Sequence, residues 1–387
     1  MHILIAGLST RAVAESAVRG GYGDCVVTLD YFGDRDQRAL VENHALLRDF
    51  DLPFSAEGLL QASRGLDFDA VVYISNLENH ADVVAALAQG QTLLGNSPET
   101  LTQVRDWDIL RRACLEERIP FPTTLLPGEE GEAAAAPQTE WLRKPWRSGG
   151  GHGIGRWDGQ PLATHHILQA YVAGRPASAA FVADGQRSVV IGLTEQLIGR
   201  GELGGRGFAW CGNILPLTSP SGGGNAILTA VEEMVARLTR RFHLRGANGI
   251  DLVIGETPEG KAVPYLIEVN PRYTASMELV ERAYELNVFS LHLAALDGHL
   301  PDFDSRERIA GPYFGKGIVY ARRSVTVPQS ETASWTAQGR RDVPHPGETI
   351  EAGHPVCTVL AEGASRADCW QRLLTGAEAV RHDIGDE

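Results

Sequence analysis

The chain has 387 residues, which is enough for two or three domains with buried cores. Its hydrophobic content of 43% is that of an ordinary globular protein, and its net charge of −14 argues against general binding to nucleic acid or anionic membranes. Five cysteines without CxxC spacing indicate neither a zinc site nor a disulfide framework, and no signal peptide or membrane-length apolar run is evident, so we expect a cytoplasmic protein.

The first hundred residues alternate between apolar strands and helices. Residues 2–7 predict a buried strand that turns at a glycine into a helix, and residues 25–30 and 70–75 predict two further strands. A helix over residues 81–88 and a short strand follow. This alternation predicts an open parallel α/β domain, with ligands at the carboxyl ends of its strands.

A polar stretch follows the third of these strands. Glu78 and Asn79 in this stretch either contact a substrate or lie near the start of the next helix as capping residues, and the sequence leaves both open. The single glycine turn after the first strand lacks GxGxxG spacing, so it gives little support for a dinucleotide site.

Residues 141–155, WLRKPWRSGGGHGIG, combine the end of a strand with a glycine-dense loop. Glycine permits positive φ and close approach of the backbone, so the N–H groups of such a loop can face phosphate oxygens. Lys144 supplies positive charge beside the loop. The stretch lacks the GK[ST] of a Walker P-loop, and a plain flexible loop is the alternative interpretation.

Residues 249–272, GIDLVIGETPEGKAVPYLIEVNPR, predict a β-hairpin, because two apolar runs flank a Pro-Glu-Gly-Lys turn. With a two-residue loop, Pro258 faces Lys261, and counting back in this register places Asp251 opposite Glu268. A register change of one residue would place the two acids on opposite faces.

The facing acids predict a cation site on this hairpin. Asp251, Glu268 and Asn270 offer two carboxylates and an amide on an otherwise apolar hairpin, which favours a hard cation with oxygen ligands. The alternative is an exposed face that carries paired surface charges.

The order of these motifs resembles that of the ATP-grasp superfamily: a Lys before a glycine-rich loop, the ILQAYV stretch, an acid on a strand and EVNPR. Four further stretches are similar to the predicted ATP-dependent carboligases related to biotin carboxylase, namely SNLEN, TEQLIG, CGNILP and HPGETIEAGHPVCTV. The resemblance implies an α/β (α+β) fold with three parts. These are an N-terminal open parallel α/β domain (1–97), a two-lobed antiparallel-sheet ATP-binding domain (98–305, small lobe about 120–182) and a small β-rich C-terminal domain (306–387).

The resemblance also implies roles for individual residues. Lys144 and Arg272 would be catalytic, Lys144 contacting adenine and a phosphate and Arg272 stabilising the transferred phosphoryl group. The further residues that would bind ATP are Gly149, Gly150, Gly151 and Gly153 over the phosphates and Gln169, Tyr171 and Val172 at the adenine hinge. Asp251, Glu268 and Asn270 would hold Mg²⁺, with Mn²⁺ as the alternative. The weaker candidates for substrate contact are Glu78, Asn79, Arg206 and Ser276.

Two positions depart from the pattern of that superfamily. Trp107 stands where many members have a Lys, and Arg105 and Arg111 are the candidate replacements. Pro176 follows the hinge glycine where many members have a ribose-binding Glu.

The implied activity is that of an ADP-forming ligase, which activates a carboxylate as an acyl phosphate and joins it to an amine. Tyramine–glutamate ligase-like chemistry in coenzyme biosynthesis is one form of this activity. The alternatives are bicarbonate activation, as in biotin carboxylase, and a nucleotide-binding subunit without turnover. The expected partners are small-molecule carboxylate and amine substrates and a second copy of the chain, without nucleic acid or membrane.

Overall fold

The computed structural model describes residues 1–136, 138–218, 224–257, 259–308, 311–329 and 332–386. Its three larger sheets meet around one cavity. Parallel and antiparallel sheets occur together with helices, so the predicted mixed α/β fold class is confirmed. No helix in the described ranges is long and apolar enough to cross a membrane.

The first part of the chain forms a parallel five-stranded sheet in the order β3-β2-β1-β4-β5. Its strands are β1 (Ile3–Ala6), β2 (Val26–Asp30), β3 (Glu42–Ala45), β4 (Ala70–Tyr73) and β5 (Thr92–Leu93). Its helices are α1 (Arg11–Arg19), α2 (Arg35–Arg38), α3 (Leu46–Phe50), α4 (Ala56–Ser63) and α5 (Ala81–Leu87). Because helices cover both faces, β1, β2 and β4 are buried along their whole length and read as continuous apolar runs.

A small antiparallel sheet follows, in the order β6-β9-β7-β8. Its strands are β6 (Thr124–Leu125), β7 (Trp141–Pro145), β8 (Gly155–Arg156) and β9 (His166–Ala170), and the nearby helices are α6 (Pro98–Val104), α7 (Trp107–Glu116) and α8 (Glu130–Ala135). The small lobe expected at 120–182 runs past this sheet. The segment from residue 175 pairs within the next sheet instead, because its alternating apolar side chains pack on that sheet's core.

The largest sheet has seven antiparallel strands in the order β14-β13-β10-β11-β12-β15-β18. The strands are β10 (Arg175–Asp184), β11 (Ser188–Ile198), β12 (Trp210–Leu215), β13 (Arg245–Glu256), β14 (Ala262–Asn270), β15 (Tyr313–Tyr320) and β18 (Pro355–Gly363). The helices α9 (Gly224–Phe242), α10 (Met277–Tyr284) and α11 (Val288–Leu296) pack on it. Helix α9 buries one apolar stripe against one face, and α10 and α11 bury the other face toward α1.

The C-terminal segment differs from the expected small β-rich domain, because β15 and β18 continue the seven-stranded sheet. The pair β16 (Val325–Thr326) and β17 (Thr349–Ile350) forms a two-stranded sheet beside it. The helices of this segment are α12 (Thr332–Trp335) and α13 (Arg366–Ile384). Helix α13 packs on β15 and β18 and completes their core. Among the described residues, four short 3₁₀ turns complete the elements: Gly23–Cys25, Leu77–Asn79, Gly201–Leu203 and Ser305–Arg308.

The hairpin β13–β14 places the two acids opposite each other, as the sequence predicted: Asp251 pairs with Glu268. The register is set by a bulge that the sequence did not reveal. On the turn side Leu252 pairs with Leu266, so Ile267 is an extra residue in β14. Without this bulge the turn-side register would place Asp251 opposite Ile267. The predicted facing of Pro258 and Lys261 cannot be compared, because Pro258 lies outside the described residues.

Candidate functional site

A cavity of about 2080 Å³ lies where the N-terminal sheet, the small sheet and the seven-stranded sheet meet. It opens at the carboxyl ends of β1, β2 and β4, where ligands of open parallel sheets bind. Most of the predicted site residues line it: Lys144, Gly149, Gly150, Gly151, Gly153, Gln169, Tyr171, Val172, Asp251, Glu268, Asn270, Arg272 and Ser276. The fold therefore brings together residues that lie up to 132 positions apart in the chain, from Lys144 to Ser276.

The two carboxylates of the acid pair on β13–β14 repel each other. Asp251 is partly buried, and its loss of solvation together with the neighbouring carboxylate of Glu268 raises the pKa of Asp251 well above its usual value. The Nε2 of Gln196 donates a hydrogen bond of 2.9 Å to Asp251 Oδ1, and Asn270 lies buried beside Glu268. A cation between the two carboxylates would remove this repulsion, so the donor set fits a divalent ion with oxygen ligands.

The number of protein ligands also fits Mg²⁺. Within the described ranges, no three His, Cys, Asp or Glu side chains are grouped so that they could hold a metal by themselves. The hairpin offers two carboxylates and one amide. Mg²⁺ is usually held by one or two carboxylates, with phosphate oxygens and water completing its octahedron.

Lys144, near the end of β7, is held in place by a side chain from the neighbouring strand. Its Nζ donates to Gln169 Oε1 at 2.5 Å, and Gln169 Nε2 donates to Thr124 Oγ1 at 3.1 Å. Burial lowers the pKa of Lys144 to about 8, although the carboxylates of Glu268 and Asp251 act in the opposite direction. The side chain of Gln169 therefore orients the lysine. The adenine-hinge role that the resemblance implied for this residue stays a prediction.

The lowered pKa of Lys144 predicts how nucleotide affinity depends on pH. In EDTA, which removes divalent metal, we expect the affinity for ADP to fall about tenfold per pH unit above pH 8, because only the protonated lysine attracts phosphate. Calorimetric titration with ADP across this range measures the effect. Lys144→Arg keeps its charge, so its ADP affinity should change little over the same range. Equal pH profiles for the two proteins would contradict the prediction.

The glycine loop is docked against the start of β12 and the residues just before it. The backbone N–H of Trp210 donates a hydrogen bond to the carbonyl of Gly150 at 2.9 Å. Gly151 has φ +80°, and a Cβ at this position would lie 1.8 Å from the carbonyl oxygen of Phe208. Gly153 also has a positive φ, of +73°. Glycine is required at position 151 for two independent reasons, conformation and space.

Gly151→Ala should therefore displace the glycine loop and lower nucleotide affinity by about tenfold or more, because a positive φ and a backbone clash must both be relieved. Gly149→Ala is the matched control. Gly149 lies in the same loop, has ordinary φ, and has no heavy atom within 4 Å of an added Cβ. Calorimetric titration with ADP and Mg²⁺ compares the two variants. Equal affinities would show that docking of the loop does not contribute to binding.

Arg272, just after β14, reaches toward the N-terminal domain. Its Nε donates to Glu78 Oε1 at 2.8 Å, and its Nη1 donates to the carbonyl of Tyr273 at 3.1 Å. Its Nη2 donates to Asn270 Oδ1 at 3.3 Å. Burial alone would raise the pKa of Glu78, but the guanidinium of Arg272 lowers it below its usual value. Glu78 thus stays ionised and fixes Arg272 beside the predicted cation site.

Arg105 is the second arginine beside the acids. Its Nη1 donates to the carbonyl of Val269 at 3.0 Å and lies 3.6 Å from Glu268 Oε2. Its Nε donates to Asn79 Oδ1 at 2.9 Å. Arg111, the other candidate for the missing Lys, forms ion pairs with two carboxylates outside the cavity lining. The structure therefore brings only the first of the two candidates to the site.

Three weaker candidates do not line the cavity. Glu78 and Asn79 are buried and bind the two arginines of the site, which is a positioning role that sequence reasoning did not consider. Arg206 is exposed and does not belong to the cavity lining. Direct substrate contact by any of the three stays a prediction.

Both departures from the superfamily pattern lie at the cavity. Trp107, at the position of the expected Lys, lines the cavity and donates its ring N–H to the carbonyl of Trp146 at 3.2 Å. Pro176, at the position of the expected ribose-binding Glu, is also a lining residue. The two positions thus offer apolar surface where charged side chains were expected.

A family model described as an ATP-grasp domain matches residues 110–276. The chain carries an ATP-grasp domain. The match includes Lys144, the glycine loop, the acid pair and Arg272, so the matched segment supplies the wall of the cavity where phosphate binding is predicted, the phosphate wall. The resemblance to the ATP-grasp superfamily is thereby confirmed.

Solved structures share the fold over almost the whole chain. Biotin carboxylase from Campylobacter jejuni, solved as a β-γ-ATP complex, is 12% identical with a TM-score of 0.70, covering 96% of this chain and 89% of that one. The biotin carboxylase domain dimer of Hydrogenobacter thermophilus 2-oxoglutarate carboxylase, solved with MgADP, ADP and bicarbonate, is 13% identical with a TM-score of 0.68, covering 99% and 90%. L-amino acid ligase from Bacillus licheniformis is 16% identical with a TM-score of 0.66, covering 98% and 97%.

About half of the chain also has a relative in sequence. An uncharacterized protein of Methanocaldococcus jannaschii is 24% identical over 196 residues, which are 51% of this chain and 42% of that protein. The match therefore spans less than half of the relative's length.

Proposed function

We propose that the protein is an ATP-dependent ligase that activates a carboxylate as an acyl phosphate and joins it to an amine. The single observation that carries the proposal is the convergence of Asp251, Glu268, Arg272 and Lys144 on one cavity wall. The fold likeness to L-amino acid ligase and the ATP-grasp domain support it.

The order of steps follows from leaving groups. A carboxylate reacts poorly with an amine, because its leaving group would be oxide. Transfer of the γ-phosphoryl group of ATP to a carboxylate oxygen breaks the bond to ADP and forms an acyl phosphate, whose leaving group is phosphate. The neutral amine then attacks the acyl carbon, phosphate leaves, and the amine nitrogen loses a proton to give the amide. The products are ADP, phosphate and the amide.

The chain's own residues would act mainly by position and charge. Lys144 and the glycine loop would bind the phosphates, Tyr171 and Val172 the adenine, and Arg272 the transferring phosphoryl group. Asp251, Glu268 and Asn270 would hold Mg²⁺, which when bound neutralises charge on the β- and γ-phosphates. The loop docked near Trp210 would keep water from the acyl phosphate, which water hydrolyses.

The test is a phosphate-release screen with ATP and Mg²⁺ against paired acids and amines, followed by mass spectrometry of the product. A new amide that forms only when both partners are present supports the proposal. ADP release that depends on bicarbonate would favour the alternative of biotin-carboxylase-like activation. Nucleotide binding without ADP formation across the panel would favour a subunit without turnover. The cytoplasmic location, the homodimer, a role in coenzyme biosynthesis and the use of Mn²⁺ stay predictions.

A further inference from the structure

A second wall of the cavity is formed by the loop between β2 and α2 together with the C-terminal segment, and Asp34 lies in it. The residue is only 6% exposed and lines the cavity. Its backbone carbonyl accepts a hydrogen bond from the N–H of Arg38 at 3.0 Å, but its side-chain carboxylate has no hydrogen-bond or ion-pair partner in the described part of the chain. It precedes the first residue of α2, where an Asp normally accepts a capping hydrogen bond, but its side chain caps nothing. The carboxylate of Asp34 is thus free to bind a ligand.

The residues that follow Asp34 are firmly held. The backbone N–H of Arg35 donates a hydrogen bond to the carbonyl of Val343 at 2.8 Å. The carboxylate of Asp36 accepts hydrogen bonds from the N–H groups of Asp342 at 3.1 Å and Val343 at 2.9 Å. The loop is therefore fixed to the C-terminal segment. The open carboxylate is held in place before any ligand arrives.

Two cations that line the cavity near this wall, Arg11 and Lys316, already have carboxylate partners. Arg11 Nε donates to Asp342 Oδ1 at 2.9 Å, and its Nη2 donates to Glu278 Oε2 at 3.0 Å. Lys316 Nζ donates to Glu278 Oε2 at 2.6 Å. Burial, and then neighbouring carboxylates led by Asp342, raise the pKa of Asp34 well above its usual value. A positively charged ligand would remove the unfavourable interaction that causes this rise.

Aromatic rings lie on the same wall. Tyr31, Phe32 and Phe54 line the cavity, and the ring centroid of Tyr31 is 5.1 Å from that of Phe32 and 5.7 Å from that of Phe54. Aromatic surface beside an acid suits an ammonium group carried on an apolar body, because rings attract cations and bury apolar area. A metal ion fits less well, since the carboxylates of Asp36 and Asp342 already accept hydrogen bonds.

We propose that this wall binds the amine substrate in its ammonium form, with Asp34 as counter-charge and the three aromatic rings around its apolar body. The proposal rests on the proposed ligase function, whose amine it places opposite the phosphate wall. It concerns binding, and Asp34 is assigned as a binding residue.

The test compares two probes of nearly equal shape, 2-phenylethylamine and 2-phenylethanol, by calorimetric titration of the full chain with MgADP at pH 7. Wild-type protein should bind the amine about tenfold or more tightly than the alcohol, which corresponds to one charged hydrogen bond. Asp34→Asn should lose this preference but keep its affinity for the alcohol, which shows that the wall is intact. Asp67→Asn, an exposed acid of the same domain, should keep the wild-type preference.

Equal binding of the two probes by the wild type, no binding of the amine, or an unchanged preference in Asp34→Asn would each overturn the proposal. The titration needs no turnover, so its result is separate from that of the phosphate-release screen. Amine binding without ADP formation would contradict the proposed ligase function and support the proposed amine site. Amide formation without the preference for the amine probe over the alcohol probe would support the ligase function and contradict the amine site. With an amine substrate in hand, Asp34→Asn should raise KM for the amine and leave KM for ATP unchanged.

Discussion

Glu268→Gln is expected to lower turnover by about 10²–10³-fold and to leave the fold intact. The two side chains have almost the same shape, but the amide lacks the negative charge that a divalent ion requires of its ligands. The free protein should not be destabilised, because Glu268 faces Asp251 across the hairpin, and the relief of their like-charge repulsion offsets the loss of the long, 3.6 Å ion pair with Arg105. Thermal unfolding without nucleotide should therefore give the variant a Tm at least equal to that of the wild type.

Glu259→Gln provides the matched control for Glu268→Gln. Glu259 lies in the exposed loop of the same hairpin, far along the strands from the acid pair, and should keep wild-type turnover. Phosphate release measures turnover, and the rise in Tm on adding MgADP measures binding. The wild type and the control should both show this rise, and Glu268→Gln should lose most of it. Wild-type activity in Glu268→Gln would show that the acid pair is not needed for the reaction.

The pairing of Asp251 with Glu268 shows what the sequence could predict and how. Alternation along strands and a recognisable turn predicted the hairpin and its facing acids. The bulge at Ile267 gave no signal, because an extra residue in a strand changes no local propensity. The predicted register at the acids was nonetheless correct, because two errors cancelled. The assumed turn shifted the pairing of β13 with β14 by one residue, and the bulge that was not foreseen shifts it back by one.

The contacts that position the site were harder to predict, because they join distant parts of the chain. Nothing near Gln169 in sequence indicates that its side chain holds Lys144, since the contact depends on the pairing of β7 with β9. The contact between Arg272 and Glu78 spans 194 positions. Polar side chains after a strand favoured a ligand site in general, but the choice between binding a substrate and orienting an arginine depends on tertiary structure.

Asp34 gave no sequence signal at all. It stands in a stretch, residues 30–36, that also contains Asp30 and Asp36, where a solvated surface is the ordinary interpretation. Its burial results from the C-terminal segment, whose Val343 binds the loop from more than 300 positions away. The expected separate C-terminal domain would have left this loop exposed. The position of β15 and β18 in the seven-stranded sheet instead closes the cavity over it.

Arg272→Lys is expected to lower kcat by about 10²–10³-fold, with little change in KM for ATP. Lysine keeps the charge, but it cannot reproduce the planar set of donors that contacts Glu78, Asn270 and the carbonyl of Tyr273. The ammonium would therefore lie away from the phosphoryl group as it transfers. An effect on kcat alone would show that Arg272 acts mainly when charge develops in the transition state.

Lysine is the better substitution because Arg272→Ala would leave Glu78, only 1% exposed, as a buried carboxylate without its partner. Breaking a buried pair in this way costs about 3–5 kcal/mol, so a loss of activity in the alanine variant could reflect unfolding. Arg64→Lys, at an exposed position outside the cavity lining, should keep wild-type kcat. Steady-state phosphate release, with Tm measured on the same samples, distinguishes a loss of catalysis from a loss of folded protein. If kcat of Arg272→Lys stays within about threefold of the wild type, Arg272 serves to hold the two domains together through Glu78 and has no direct part in phosphoryl transfer.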